Sequence, residues 1–132
     1  MPYLALDTTY EPTEEERRVC TTALTDLYVD EMRTTAGHVA VAIREHPEGA
    51  MSIGRAVDGP IAVLDADVRR GRSFERQRAF ALAVIDWLAE AWDVPRPNLK
   101  VAFTEHDGDQ LMGADRVGGE WSPDEDEDPA DE

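Results

Sequence analysis

IAVLDADVRRGRSFERQRAFALAVIDWLAEAW, residues 61–92, decides the fold. Ile61–Ala66 is apolar enough for a strand, and Asp67–Arg72 reads as a short connection. Ser73 then stands where a helix N-cap belongs. From Phe74 to Trp92, Phe80, Val84, Trp87, Leu88 and Ala91 recur on one helical face. Prolines in VPRPN stop that helix, and Leu99–Thr104 is strand-like again. A strand, a helix and a strand in this order make a βαβ unit, whose crossover is right-handed.

The first half has the same grammar. Tyr3–Thr8 alternates as a half-buried strand does. Glu11 and Pro12 break it, and Thr13 with Glu16 forms a capping-box pattern. A helix is expected over Glu14–Met32, with Val19, Ala23, Leu24, Leu27, Tyr28 and Met32 at helical spacing. His38–Glu45 is the next strand, HPEG (46–49) a turn, and Met51–Ile53 a short hairpin arm. The fold class is therefore α+β: tandem βαβ units forming a four-stranded sheet with two helices on one face. The other face has no cover within the chain, which points to self-association.

Composition narrows the function. The 132 residues carry a formal net charge of −16 and suit one domain, residues 1–121. The tail SPDEDEDPADE (122–132) holds seven of the 29 acidic residues and no large apolar one, so it reads as a disordered acidic tail. Without it, 22 acidic residues still face 13 basic ones, which argues against a nucleic-acid partner. No run of 18 apolar residues suggests a membrane span. A single cysteine, Cys20, fits a reducing, cytoplasmic setting. His38, His46 and His106 lack metal-ligand spacing and read as surface or turn residues; no phosphate or dinucleotide loop is present, and no metal or cofactor is expected.

Two features carry chemistry. Pro2 follows Met1, and methionine ahead of a small residue is generally trimmed, which would leave Pro2 with the free α-amino group. Such an amine titrates near pH 8 and lower beside positive charge, so it serves as acid, base or nucleophile. The plain alternative is that Pro2 merely starts a strand, where proline is tolerated. In the connection, Arg69, Arg70 and Arg72 cluster ahead of a helix N-terminus in an otherwise acidic chain. Guanidinium forks bind carboxylates through paired hydrogen bonds, and Gly71 permits a tight turn between them. The alternative is ordinary surface ion pairing.

An initial proline, a βαβ repeat and VRRGRS together resemble the tautomerase superfamily. More narrowly, ALTDLY (23–28), HPEGAMSIG (46–54), VRRGRS (68–73), FTE (103–105) and GEW (119–121) resemble the cis-3-chloroacrylic acid dehalogenase branch. That resemblance implies a trimer, Pro2 as catalytic acid or base, and Arg69 and Arg72 as the binders of a substrate carboxylate. Arg70 falls where the dehalogenase has an acidic residue, and would face solvent or add positive field. The dehalogenase's water-activating residues map to Gly113, Tyr28 and Ala102, with Asp115 close by, which weighs against dehalogenation. Gly37 stands near the decarboxylase relatives' aspartate, which weighs against decarboxylation. Tautomerisation of a 2-oxo acid such as phenylpyruvate demands less. Tyr28 would donate to the substrate oxygen or simply pack in the core; Trp121 would wall an aromatic substrate or plug the sheet.

Overall fold

The computed structural model describes residues 1–119 and 121–123. Its sheet has the order β2-β1-β3-β4, with β1 at Tyr3–Thr8, β2 at Ala40–Glu45, β3 at Ala62–Arg69 and β4 at Leu99–His106. β1 runs parallel to β2, β3 runs parallel to β4, and the two units meet antiparallel through β1 and β3. The helices are α1, Glu14–Met32, and α2, Phe74–Ala91. The tandem βαβ architecture stands as expected, and domain 1–121 is nearly all within the described residues. The acidic tail lies outside them from residue 124 onward.

Each helix starts where its cap dictates. The Thr13 hydroxyl accepts from Glu16 N and the Glu16 carboxylate accepts from Thr13 N, a complete capping box. The Ser73 hydroxyl accepts from Arg76 N. Cys20, Leu24, Tyr28 and Met32 fall on one stripe of α1, and Phe80, Val84 and Leu88 on one stripe of α2. Those stripes press on Leu4, Leu6, Leu64, Ala66 and Val68 of the sheet. Burial at this level contributes about 1.5–3 kcal/mol per large apolar side chain before entropy is subtracted. Burial also pushes the Cys20 thiol up to about 12, which leaves it inert.

The two units match residue for residue at a spacing of sixty. N-caps Thr13 and Ser73 correspond, as do the core residues Cys20 and Phe80, Leu24 and Val84, Tyr28 and Leu88. Both helices are followed by a left-handed residue, Arg33 (φ 56°) and Asp93 (φ 54°). Even the open face repeats: His46 bonds Asp7 at 2.7 Å, and His106 bonds Asp67 at 2.8 Å.

Three local expectations are corrected. Asp67–Arg69 is not part of the connection but the end of β3, because β4 supplies ladder partners to all three residues and β1 pairs with Asp67. His38 and Val39 are not strand; residues 36–38 form a 3-10 turn and β2 begins at Ala40. Met51–Ile53 forms no hairpin arm, since no strand pairs with it, and the segment is irregular after the turn at Gly49.

That long irregular segment is pinned by one side chain. Asn98, fully buried, accepts from Val57 N and donates to the carbonyls of Val57 and Pro60, at 2.8, 2.8 and 3.0 Å. Asn98→Ala leaves three part-buried backbone groups without their side-chain partner, so unfolding free energy should fall by about 2–4 kcal/mol, read by urea denaturation. A loss below about 1 kcal/mol would mean that the segment holds itself.

The sheet face opposite the helices carries Tyr3, Asp7, Arg44, Asp65, Lys100 and Thr104 by register. Burial alone would raise the Asp7 carboxyl. The hydrogen bonds and charges of Arg44 and His46 outweigh it and hold the carboxyl below its ordinary value of 3.8. A depressed carboxylate stabilises the fold fully above its unfolded value and loses that contribution as pH falls through the folded one. Acid titration should therefore show a destabilising step below about pH 4 that Asp7→Asn lacks. An unchanged acid slope in the variant would discard this assignment.

Candidate functional site at the amino-terminal end of the sheet

Because β1 and β3 are antiparallel, the start of β1 lies beside the end of β3. The same end of the molecule receives the start of β2, the end of β4, the C-terminus of α1 and the N-terminus of α2. Pro2 is buried there, with its carbonyl accepting from Ala40 N at 3.1 Å. It opens on a cleft of about 610 Å³ lined by Met1, Pro2, Tyr3, Gly37, His38, Val39, Ala40, Gln110, Leu111, Met112, Gly113 and Asp115. Met1 lies within this cleft, close enough that a Cβ on Gly113 would sit 2.8 Å from its methyl carbon.

The arginines reach the same end but take different places. Arg69 ends β3, is nearly buried, and donates from Nη1 to Gly119 O at 3.0 Å. Arg70 stays half exposed and pairs with Asp107 at 3.0 Å, the solvent-facing option. Arg72 is buried. Its Nε donates to Met32 O at 2.6 Å, and its guanidinium lies between the rings of Tyr28 and Trp121, 5.4 and 5.1 Å from their centroids. None of the three is among the residues lining the Pro2 cleft.

Tyr28 is fully buried and meets Phe80 edge-on at 5.2 Å, so it touches Arg72 from within the core. Trp121 closes the outside. Its indole N–H donates to Arg33 O at 2.7 Å, its backbone N–H donates to Arg70 O at 3.2 Å, and its ring also lies under Arg76. Gly71 makes this contact possible. At φ 122° it takes a conformation that suits glycine, and a Cβ there would meet Trp121 O at 2.7 Å. Ala102 stands on the open face of β4, while Gly113 and Asp115 both line the cleft.

Two residues join this end that the sequence reading passed over as a site. His38, expected at a turn or surface, is in the 3-10 turn and lines the cleft. Arg116 Nη1 lies 3.0 Å from His38 Nε2. A guanidinium only donates, so Nε2 accepts. Arg116 was detectable as the sole basic residue after Asp107 in a strongly acidic stretch. The opposite end of the sheet has a smaller cleft of about 460 Å³, bordered by Glu11 and Glu48 in place of arginines.

No protein-family model matches the chain, nor does any curated protein. Solved structures do match. A member of the cis-3-chloroacrylic acid dehalogenase family superposes with a TM-score of 0.82 over 95% of this chain and 88% of that one, at 20% identity. A symmetric trimer of fused 4-OT superposes with a TM-score of 0.75 over 89% and 94%, at 17% identity. The fold is that of the tautomerase superfamily. Another protein of this fold, solved after inactivation by 2-oxo-3-pentynoate, matches with a TM-score of 0.77 over 88% and 94%, at 18% identity. The tautomerase fold is therefore present along nearly the whole described chain, including the C-terminal segment that crosses the Pro2 end.

Proposed function

We propose that this chain is a keto–enol tautomerase of small carboxylated 2-oxo acids. It uses the Pro2 amine as general acid and base once Met1 is removed. One observation carries the reading: Pro2, buried at the start of β1, opens on a roomy cleft at the end of the sheet that the end of β3 and its arginine-rich connection also reach. In the ketonising direction the protonated amine gives its proton to C3 of the enol. The enol O–H proton goes to water, and the amine is reprotonated from solvent. Arg69 and Arg72 do not line the cleft, and on this reading their field draws the carboxylate and favours a lowered amine pKa. Trp121, seated on Arg72 and outside the cleft lining, caps this end of the sheet rather than walling the substrate, and Tyr28 holds Arg72 from below.

Assembly as a homotrimer accords with this reading. One protein of the same fold is a symmetric trimer, and the open sheet face here needs a cover. The partner is a small carboxylate, not nucleic acid, given the acidic body; no helix of the described residues is long and apolar enough to cross a membrane. A second reading, addition of water to an unsaturated acid, draws on Asp115 and His38, which both line the cleft and could polarise water. A third is a non-catalytic binding protein, for which Met1 would matter little.

The test is labelling with 2-oxo-3-pentynoate, an acetylenic 2-oxo acid that an amine attacks by conjugate addition. Intact mass of the native chain should show Met1 absent and one adduct per chain, which peptide mapping assigns to Pro2. Retained Met1, or an adduct elsewhere, would overturn both enzymatic readings.

A further inference from the structure

We infer that Gly113 sets the size of the substrate tail that the Pro2 cleft admits, and that the tail is apolar and about as long as a methionine side chain. This rests on the tautomerase reading for the 2-oxo acid, and deepens it by naming the group carried beyond C2. Gly113 lines the cleft together with Val39, Leu111 and Met112. Its φ lies outside the left-handed region, so the backbone there does not call for glycine. Packing does not call for it either. Beyond the chain neighbours, a Cβ on Gly113 would have two heavy atoms within 4 Å: the Met1 methyl carbon at 2.8 Å and Asp115 Oδ1 at 3.9 Å. The second is ordinary contact, and the first is too short for two carbons. What the missing Cβ leaves room for is therefore the Met1 side chain. Once Met1 is trimmed, the same room stands open beside the freed amine. A proton passed from that amine to C3 places C3 at Pro2, and the rest of the tail runs where the Met1 side chain runs. The hairpin bearing Gly113 is fixed by the Met112–Val117 bridge and by Gly113 N donating to Arg116 O at 2.9 Å, so a methyl added at 113 stays in the way.

Calorimetry on the full chain lacking Met1 reads this directly. Affinity should rise about fourfold per methylene from pyruvate to 2-oxohexanoate, the acid whose tail matches the methionine side chain in length. Gly113→Ala should weaken 2-oxohexanoate binding about tenfold and pyruvate binding less than about twofold. The chain that keeps Met1, with no substitution at all, should bind 2-oxohexanoate no better than pyruvate, a measurement that does not depend on how a variant folds. Gly54→Ala adds a methyl where nothing stands within 4 Å, at a residue outside the cleft lining, and should bind like the parent. No gain with tail length in the parent, equal losses for both acids in Gly113→Ala, or an unchanged preference in either Gly113→Ala or the chain that keeps Met1 would each overturn the inference. Failure of the proline chemistry would appear separately, as the absence of a Pro2 adduct with the length preference intact.

Discussion

Replacing Pro2 with alanine should lower the rate of phenylenolpyruvate ketonisation at least about tenfold, or about 1.4 kcal/mol of barrier. Alanine still leaves a free amine after Met1 removal, so the variant asks what the secondary, ring-bound amine contributes. Proline's ring fixes φ, and its carbonyl is tied to Ala40 N, so the nitrogen has one direction in which to point. Alanine at the same place can turn its primary amine away. The loss should appear in kcat more than in KM, because the amine moves the proton while cations hold the acid. An equal rate in both proteins would reduce Pro2 to the opening residue of a strand. No rate above buffer in either would remove this substrate class and leave water addition or simple binding to be tried.

The second large effect concerns Arg72. Arg72→Ala should lower unfolding free energy by about 2–4 kcal/mol. It removes the donor to Met32 O at the end of α1, which costs about 1–3 kcal/mol for a buried carbonyl. It also removes a desolvated cation between two rings, each contact contributing about 0.5–2 kcal/mol. For a domain of this size the midpoint of thermal unfolding should drop by roughly 10 °C. Trp121 loses its platform, so its fluorescence should shift toward that of an exposed indole. Arg72→Met keeps the stem and discards the charge. If Met restores stability but not activity, Arg72 serves the substrate; if it restores both, Arg72 is packing. Melting and emission unchanged in Arg72→Ala would contradict the sandwich.

Much of the fold was legible in the sequence because its signals are local. Thr13 with Glu16, and Ser73, announce both helix starts, and apolar residues four apart announce both buried faces. The duplication was also on the page: Leu4 and Leu64, Asp7 and Asp67, and His46 and His106 stand sixty apart. Strand limits were less legible. Asp67–Arg69 is too polar to read as strand, and becomes one because β4 offers a ladder partner to each of its residues. The candidate site divides the same way. Pro2 and the arginine cluster stood out by position and charge. Arg72 and Arg69 bond the backbone carbonyls of Met32 and Gly119, and no residue type encodes a carbonyl. His38 and Arg116 meet across 78 residues of sequence, a distance over which pattern carries no information.

The sixty-residue duplication has a consequence for stoichiometry. The counterpart of Pro2 is Ala62, the first residue of β3, which pairs with Thr8 on one side and Leu99 on the other and continues the chain from Ile61. The counterparts of Arg69 and Arg72 are Thr9 and Pro12. A body with near-twofold shape therefore has one live pole and one mute one. The mute pole lacks a free amine because a polypeptide begins only once, and Glu11 and Glu48 border its cleft. A permuted chain opened ahead of Ala62 would give that pole an amine, yet still leave it facing glutamates. On the proposed chemistry, turnover then counts chain beginnings rather than folded halves.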